Sequence, residues 1–95
     1  MNKYEMMFIV RPDMEEAEIR KTAEGMKKVL TDAKANFLEE KAMGQRELAY
    51  EIRKFNTGYY YLFVVEATKE AEEEFNRVAR INENLLRHLI VKVEE

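Results

Sequence analysis

The chain has 95 residues, of which 46% are hydrophobic; it carries a net charge of −3 and contains no cysteine. That length suits one domain, residues 1–95, with a single modest core. The missing cysteines exclude disulfides and thiolate metal sites and fit a cytoplasmic chain, and no apolar run approaches the ~20 residues needed to span a bilayer.

The elements can be read in chain order from periodicity. Residues 3–10, KYEMMFIV, alternate as a strand. Tyr4, Met6, Phe8 and Val10 form one face, and Met7 and Ile9 make the other face apolar too, as in a central strand. The start also lacks the long apolar stretch and small-residue cleavage site of a secretory signal. Arg11-Pro12-Asp13 stops the strand, because proline cannot donate to a ladder. From Met14 to Lys34 the period becomes helical, with Ile19, Ala23, Met26, Leu30 and Ala33 on one stripe. Asp13 with Glu16 predicts a capping box, and Glu16/Arg20 and Glu24/Lys28 predict ion pairs one turn apart. Gly25 sits inside this helix with no sequence-level reason.

Residues 36–54 read as a long second strand whose apolar parity switches across Gly44, which predicts a bulge or bend there. Phe55-Asn56-Thr57-Gly58 is expected to be the hairpin loop, with Gly58 available for a positive φ. The third strand, YYYLFVVEA from Tyr59, is apolar on both faces. Thr68 is expected to cap a second helix over 69–81, buried through Ala71, Phe75, Val78 and Ala79. Its acids crowd the start and its arginines the end, in accord with the helix dipole. Asn82-Glu83-Asn84 turns the chain into a last strand, Leu85 to Val93.

The order βαββαβ, with right-handed crossovers and a central hairpin, predicts an α+β, ferredoxin-like fold. Its four-stranded antiparallel sheet would have strand order 4-1-3-2, with both helices on one face. The other face should be mainly polar if the protein works alone. Here strands one and three present apolar side chains on both sides, and an open apolar face marks a binding surface. Alternation assigns Met7, Ile9, Tyr60, Leu62 and Val64 to that face, joined by Leu89 of the last strand; Tyr4, Met6, Phe8, Tyr61, Phe63 and Val65 would lie beneath the helices. Since both sets are apolar, the opposite assignment stays open at this point.

Nothing in the sequence carries catalytic spacing. Its three glycines are far apart, so there is no phosphate-cradling loop. His88 lies mid-strand with no carboxylate partner at a recognisable spacing, and reads as a packed histidine. No cofactor, metal, membrane or small-molecule substrate is expected. Tyr59-Tyr60-Tyr61 could stack unpaired bases as in sheet-based RNA modules, but three tyrosines on a central strand fit packing better. A negative chain has no global field for nucleic acid, so RNA contact must come from a local patch. Residues 13–34 hold six acids and five bases, whereas residues 41–54 hold four bases and two acids. Sheet ends are therefore the expected phosphate-facing side.

The string GQRELAYEIR, Gly44 to Arg53, closely resembles the signature of the small-subunit ribosomal protein six family. The likeness extends along the chain through KYE and RPD at the start, GYY in strand three, and RIN-N-LLRHLIVK at the end. It implies a ferredoxin-like fold that binds the central domain of small-subunit ribosomal RNA. It also implies a heterodimer with small-subunit ribosomal protein eighteen, which would cover the apolar face. Carried over by position, Lys3, Arg46, Arg87 and Lys92 become RNA-contact candidates, with Lys54 as a further one. Glu47, directly after Arg46, departs from the family pattern by placing an acid where a second base would help. A reading in a different class is a free-standing ferredoxin-like module that self-associates or recognises single-stranded RNA by itself.

Overall fold

The computed structural model describes residues 1–93. Six elements follow one another: β1 (Asn2–Val10), α1 (Glu16–Asp32), β2 (Asn36–Ile52), β3 (Phe55–Ala67), α2 (Lys69–Ile81) and β4 (Leu85–Val93). The sheet order is β2-β3-β1-β4 with every neighbouring pair antiparallel, which is the expected 4-1-3-2 order counted from the other edge.

Both helices pack on one face of the sheet because their apolar stripes match it. Ile19, Ala23, Met26 and Leu30 of α1 and Ala71, Phe75 and Ala79 of α2 share a buried cluster with Tyr4, Met6, Phe8, Val10, Phe63 and Val65. The structure thus resolves the parity left open by the sequence. Phe8 is the hub: its ring stacks on Tyr61 at 5.3 Å, meets Phe63 edge-on at 5.2 Å and lies 6.2 Å from Phe75. Such rings contribute both buried area and favourable quadrupole geometry.

Local chemistry departs from expectation in three places. Asp13 does not cap α1, because Arg11 holds both of its carboxylate oxygens, at 2.6 and 2.7 Å. A bidentate charge-assisted pair outcompetes a single bond to a helix N–H. The N-cap is instead Glu15, whose side chain makes no capping bond. Lys28 pairs forward with Asp32 at 3.2 Å rather than back with Glu24. Thr68 does cap α2, accepting from the Ala71 N–H at 3.1 Å.

The third departure moves the hairpin turn. It lies at Arg53-Lys54, with φ of 48° and 69°, and not at residues 55–58. Two consecutive left-handed residues suit the right-handed twist of the flanking strands. Gly58 is a strand residue opposite Arg46. Its lack of a side chain is steric in origin, since a Cβ there would run into the Ile9 side chain. Gly44 behaves as expected, with φ of 79° at a bulge between Ala42 and Gly44.

Gly25 lies on the outside of α1 with nothing within 4 Å of where a Cβ would sit. Gly25→Ala should therefore stabilise the chain by about 1 kcal/mol through helix propensity alone. The thermal midpoint, followed by circular dichroism, should rise by about 4–8 °C for a domain of this size.

Candidate partner and RNA interface

The face of the sheet away from the helices is built from in-register cross-strand rows. Met7 stands between Leu62 and Leu89, Ile9 between Tyr60 and Arg87, and Glu5 between Val64 and Val91. All six residues expected on the open face, Met7, Ile9, Tyr60, Leu62, Val64 and Leu89, therefore share it. Val91 extends the patch, and Leu89 and Val91 are 53% and 44% exposed. Isolated apolar residues on a surface are ordinary, but rows of them along three adjacent strands form a contiguous patch.

One end of this face carries an arm that the sequence did not reveal. The β2–β3 ladder runs to Glu47 opposite Thr57 and resumes only at Ile52 opposite Phe55. Leu48, Ala49, Tyr50 and Glu51 thus stand against Asn56 alone, so the strand bows out of the sheet. The bow bends over the open face toward β4, leaving a groove of about 240 Å³ between Leu48, Tyr50 and Ile52 on one side and Met7, Ile9 and Leu89 on the other. Arg87 rims it, with its guanidinium carbon 5.6 Å from the centre of the Tyr50 ring. The alternation of Leu48, Tyr50 and Ile52 suggested a plain strand. A bow of four residues preserves that pattern and hides from it.

The basic candidates do not form one site. Arg46, Lys54 and Arg87 gather at the hairpin end of the sheet, where Arg46 lies opposite Gly58 and Arg87 opposite Ile9. Arg46 also donates from Nε to the Met43 carbonyl at 3.2 Å. Lys3 lies opposite Val93, six residues along β1 from Ile9 and so about 20 Å away. Lys92 pairs with Tyr4 and lines a shallow depression on the helix side with Lys69 and Glu72. The structure adds Arg11 and Arg53 to the hairpin-end group: Arg11 lies 5.6 Å from the Phe55 ring, and Arg53 bonds to the turn before β4. The excess of bases in residues 41–54 was the available sign of this cluster.

The remaining polar and aromatic candidates are packed. His88 faces α2, with Nε2 2.7 Å from Asn76 Oδ1, and burial holds its pKa below the ordinary histidine value. Of the three consecutive tyrosines only Tyr60 is on the open face. Tyr61 stacks on Phe8, burial pushes its pKa up, and Tyr59 packs against the core. They do not form a shared stacking platform.

The model of the family "Ribosomal protein S6" matches residues 3–92. The chain belongs to the ribosomal protein S6 family. Full-length relatives named small ribosomal subunit protein bS6 are 47% identical in Halalkalibacterium halodurans and 44% identical in Shouchella clausii, each over the whole of both chains. The crystal structure of the 30S ribosomal protein S6 of Thermotoga maritima superposes with a TM-score of 0.92 at 29% identity, covering 97% of this chain and 87% of that one. Membership in the S6 family makes this a structural ribosomal protein and not an enzyme.

Proposed function

We propose that this chain is a structural constituent of the small ribosomal subunit, in the bacterial cytoplasm, where it binds the central domain of the ribosomal RNA as a heterodimer with small-subunit ribosomal protein eighteen. The observation that carries this reading is the apolar open face, whose rows along β1, β3 and β4 need a cover. The partner's identity rests on the family resemblance. Charge argues in the same direction. A chain of net charge −3 gains little attraction to RNA on its own, so a basic partner supplies both cover and positive charge.

The hairpin-end bases then contact phosphates beside that partner. Arg87 rims the apolar groove, so it reports on both interfaces at once. Arg46 and Lys54 are the cleaner probes, since both are exposed and neither lines that groove. Arg46→Ala combined with Lys54→Ala should weaken the ternary complex and flatten its salt dependence by about 0.7–0.9 in log–log slope for each phosphate no longer neutralised. Heterodimer formation should stay at the wild-type level. Titrating the RNA fragment into the heterodimer at two salt concentrations checks this, and an unchanged slope would remove these two residues from the RNA surface.

A further inference from the structure

The hairpin turn holds an arginine where the backbone gives no reason for one. A two-residue turn with positive φ at both positions favours Asn-Gly, and each ordinary residue there costs about 1–2 kcal/mol. Here both positions are filled by long cations, Arg53 and Lys54. The Arg53 side chain supplies the reason. Its Nη2 donates to the Glu83 carbonyl at 3.0 Å and to the Leu85 carbonyl at 2.8 Å, tying the hairpin tip to the turn between α2 and β4.

That turn is itself well anchored. The Asn84 N–H donates to Asn82 Oδ1 at 2.9 Å, the Asn84 carbonyl accepts from the Arg11 N–H at 2.9 Å, and Asn84 Nδ2 donates to Thr22 Oγ1 on α1 at 3.2 Å. The arm contrasts with it. Leu48 to Glu51 have no ladder partners across four residues, so the ladder alone does not fix where they lie. Beyond the single Ile52–Phe55 pair, the Arg53 tie is the polar link that fixes the arm's far end against β4.

We propose that Arg53 is a positioning residue: by clamping the hairpin tip to the 82–85 turn, it holds the Leu48–Ile52 arm over the sheet and keeps the apolar groove formed before a protein partner arrives. A preformed groove spares the complex the cost of ordering the arm on binding. This inference rests on the reading that the open face receives a protein, here ribosomal protein eighteen. It adds which side chain makes that face ready.

Arg53→Asn separates side chain from backbone, because asparagine tolerates the left-handed conformation while it cannot reach the two carbonyls. In the isolated chain, the backbone amide order parameters of Leu48–Glu51 should fall from rigid values of about 0.85 to below about 0.6, with those of β1 and the thermal midpoint unchanged. Affinity for ribosomal protein eighteen should fall about 5–10-fold, and Arg53→Lys, whose ammonium can still donate to a carbonyl, should recover part of both effects. Unchanged order parameters in the arm overturn the proposal, as does a fall throughout the sheet, which would mark a general structural role. An arm that loosens with unaltered affinity also overturns it, since the arm would then not prepare the partner site. If wild-type chain fails to bind ribosomal protein eighteen, the functional reading fails instead, and the arm's order parameters alone decide whether Arg53 is the clamp.

Discussion

Leu62→Asp should abolish heterodimer formation while leaving the isolated chain folded. Leu62 lies at the middle of the open face, between Met7 on β1 and Lys41 on β2. It is partly exposed in the free chain, so an aspartate there keeps contact with water and gains Lys41 as cross-strand neighbour. The cost to folding is then about 1 kcal/mol, set by the poor strand propensity of aspartate. In the heterodimer the same carboxylate would be buried against an apolar surface without a designed partner, which is prohibitive for a charge. Truncations at central, fully desolvated positions cost ~2 kcal/mol or more, about 30-fold in affinity, and the buried charge adds to that, so a loss of at least about 100-fold is expected by calorimetric titration. Wild-type affinity in the variant would show that the partner docks elsewhere, and an unfolded variant would show that Leu62 is core.

Phe8→Ala should produce the opposite pattern. Phe8 is one strand over from Leu62 and on the other side of the sheet, with no exposed surface and with Tyr61, Phe63 and Phe75 around it. Removing the ring loses its transfer energy and leaves a cavity that its neighbours on β3 and α2 cannot fully fill. The expected cost is about 3–5 kcal/mol. Domains of this kind have about 5–15 kcal/mol in total, so the variant should unfold at a much lower temperature than the wild-type chain. Urea denaturation should show a midpoint sharply lowered with little change in slope. A destabilisation under about 1 kcal/mol would contradict the central place given to this ring.

The pair also shows what kind of information the sequence holds. Element order and topology were legible because strands and helices impose different periods on apolar residues, and each stripe named on α1 and α2 is the one that packs. The open face was legible for the same reason, although the sequence could not decide which parity met the helices, since residues of both parities on β1 and β3 are apolar. What stayed hidden depended on interactions between distant residues. The capping role of Asp13 was lost to Arg11, a side-chain competition that spacing does not encode. Gly58 looked like a turn glycine, but its small size serves Ile9, which is remote in sequence. The arm at Leu48–Glu51 kept strand alternation while leaving the ladder, and its tether runs from Arg53 to carbonyls 30 and 32 residues away. The basic candidates were identified singly, and only the fold shows that Arg46, Lys54 and Arg87 lie at one end while Lys3 and Lys92 lie at the other.

We propose that this acidic chain binds ribosomal RNA as half of a pair. The most direct measurement is a titration of a central-domain RNA fragment with this chain alone, with ribosomal protein eighteen alone, and with both together, at fixed physiological salt. Weak binding is expected of this chain alone, and an affinity at least 100-fold higher for the two together, equivalent to about 2.7 kcal/mol of coupling. Tight binding by the isolated chain, undiminished by the absence of its partner, would contradict it.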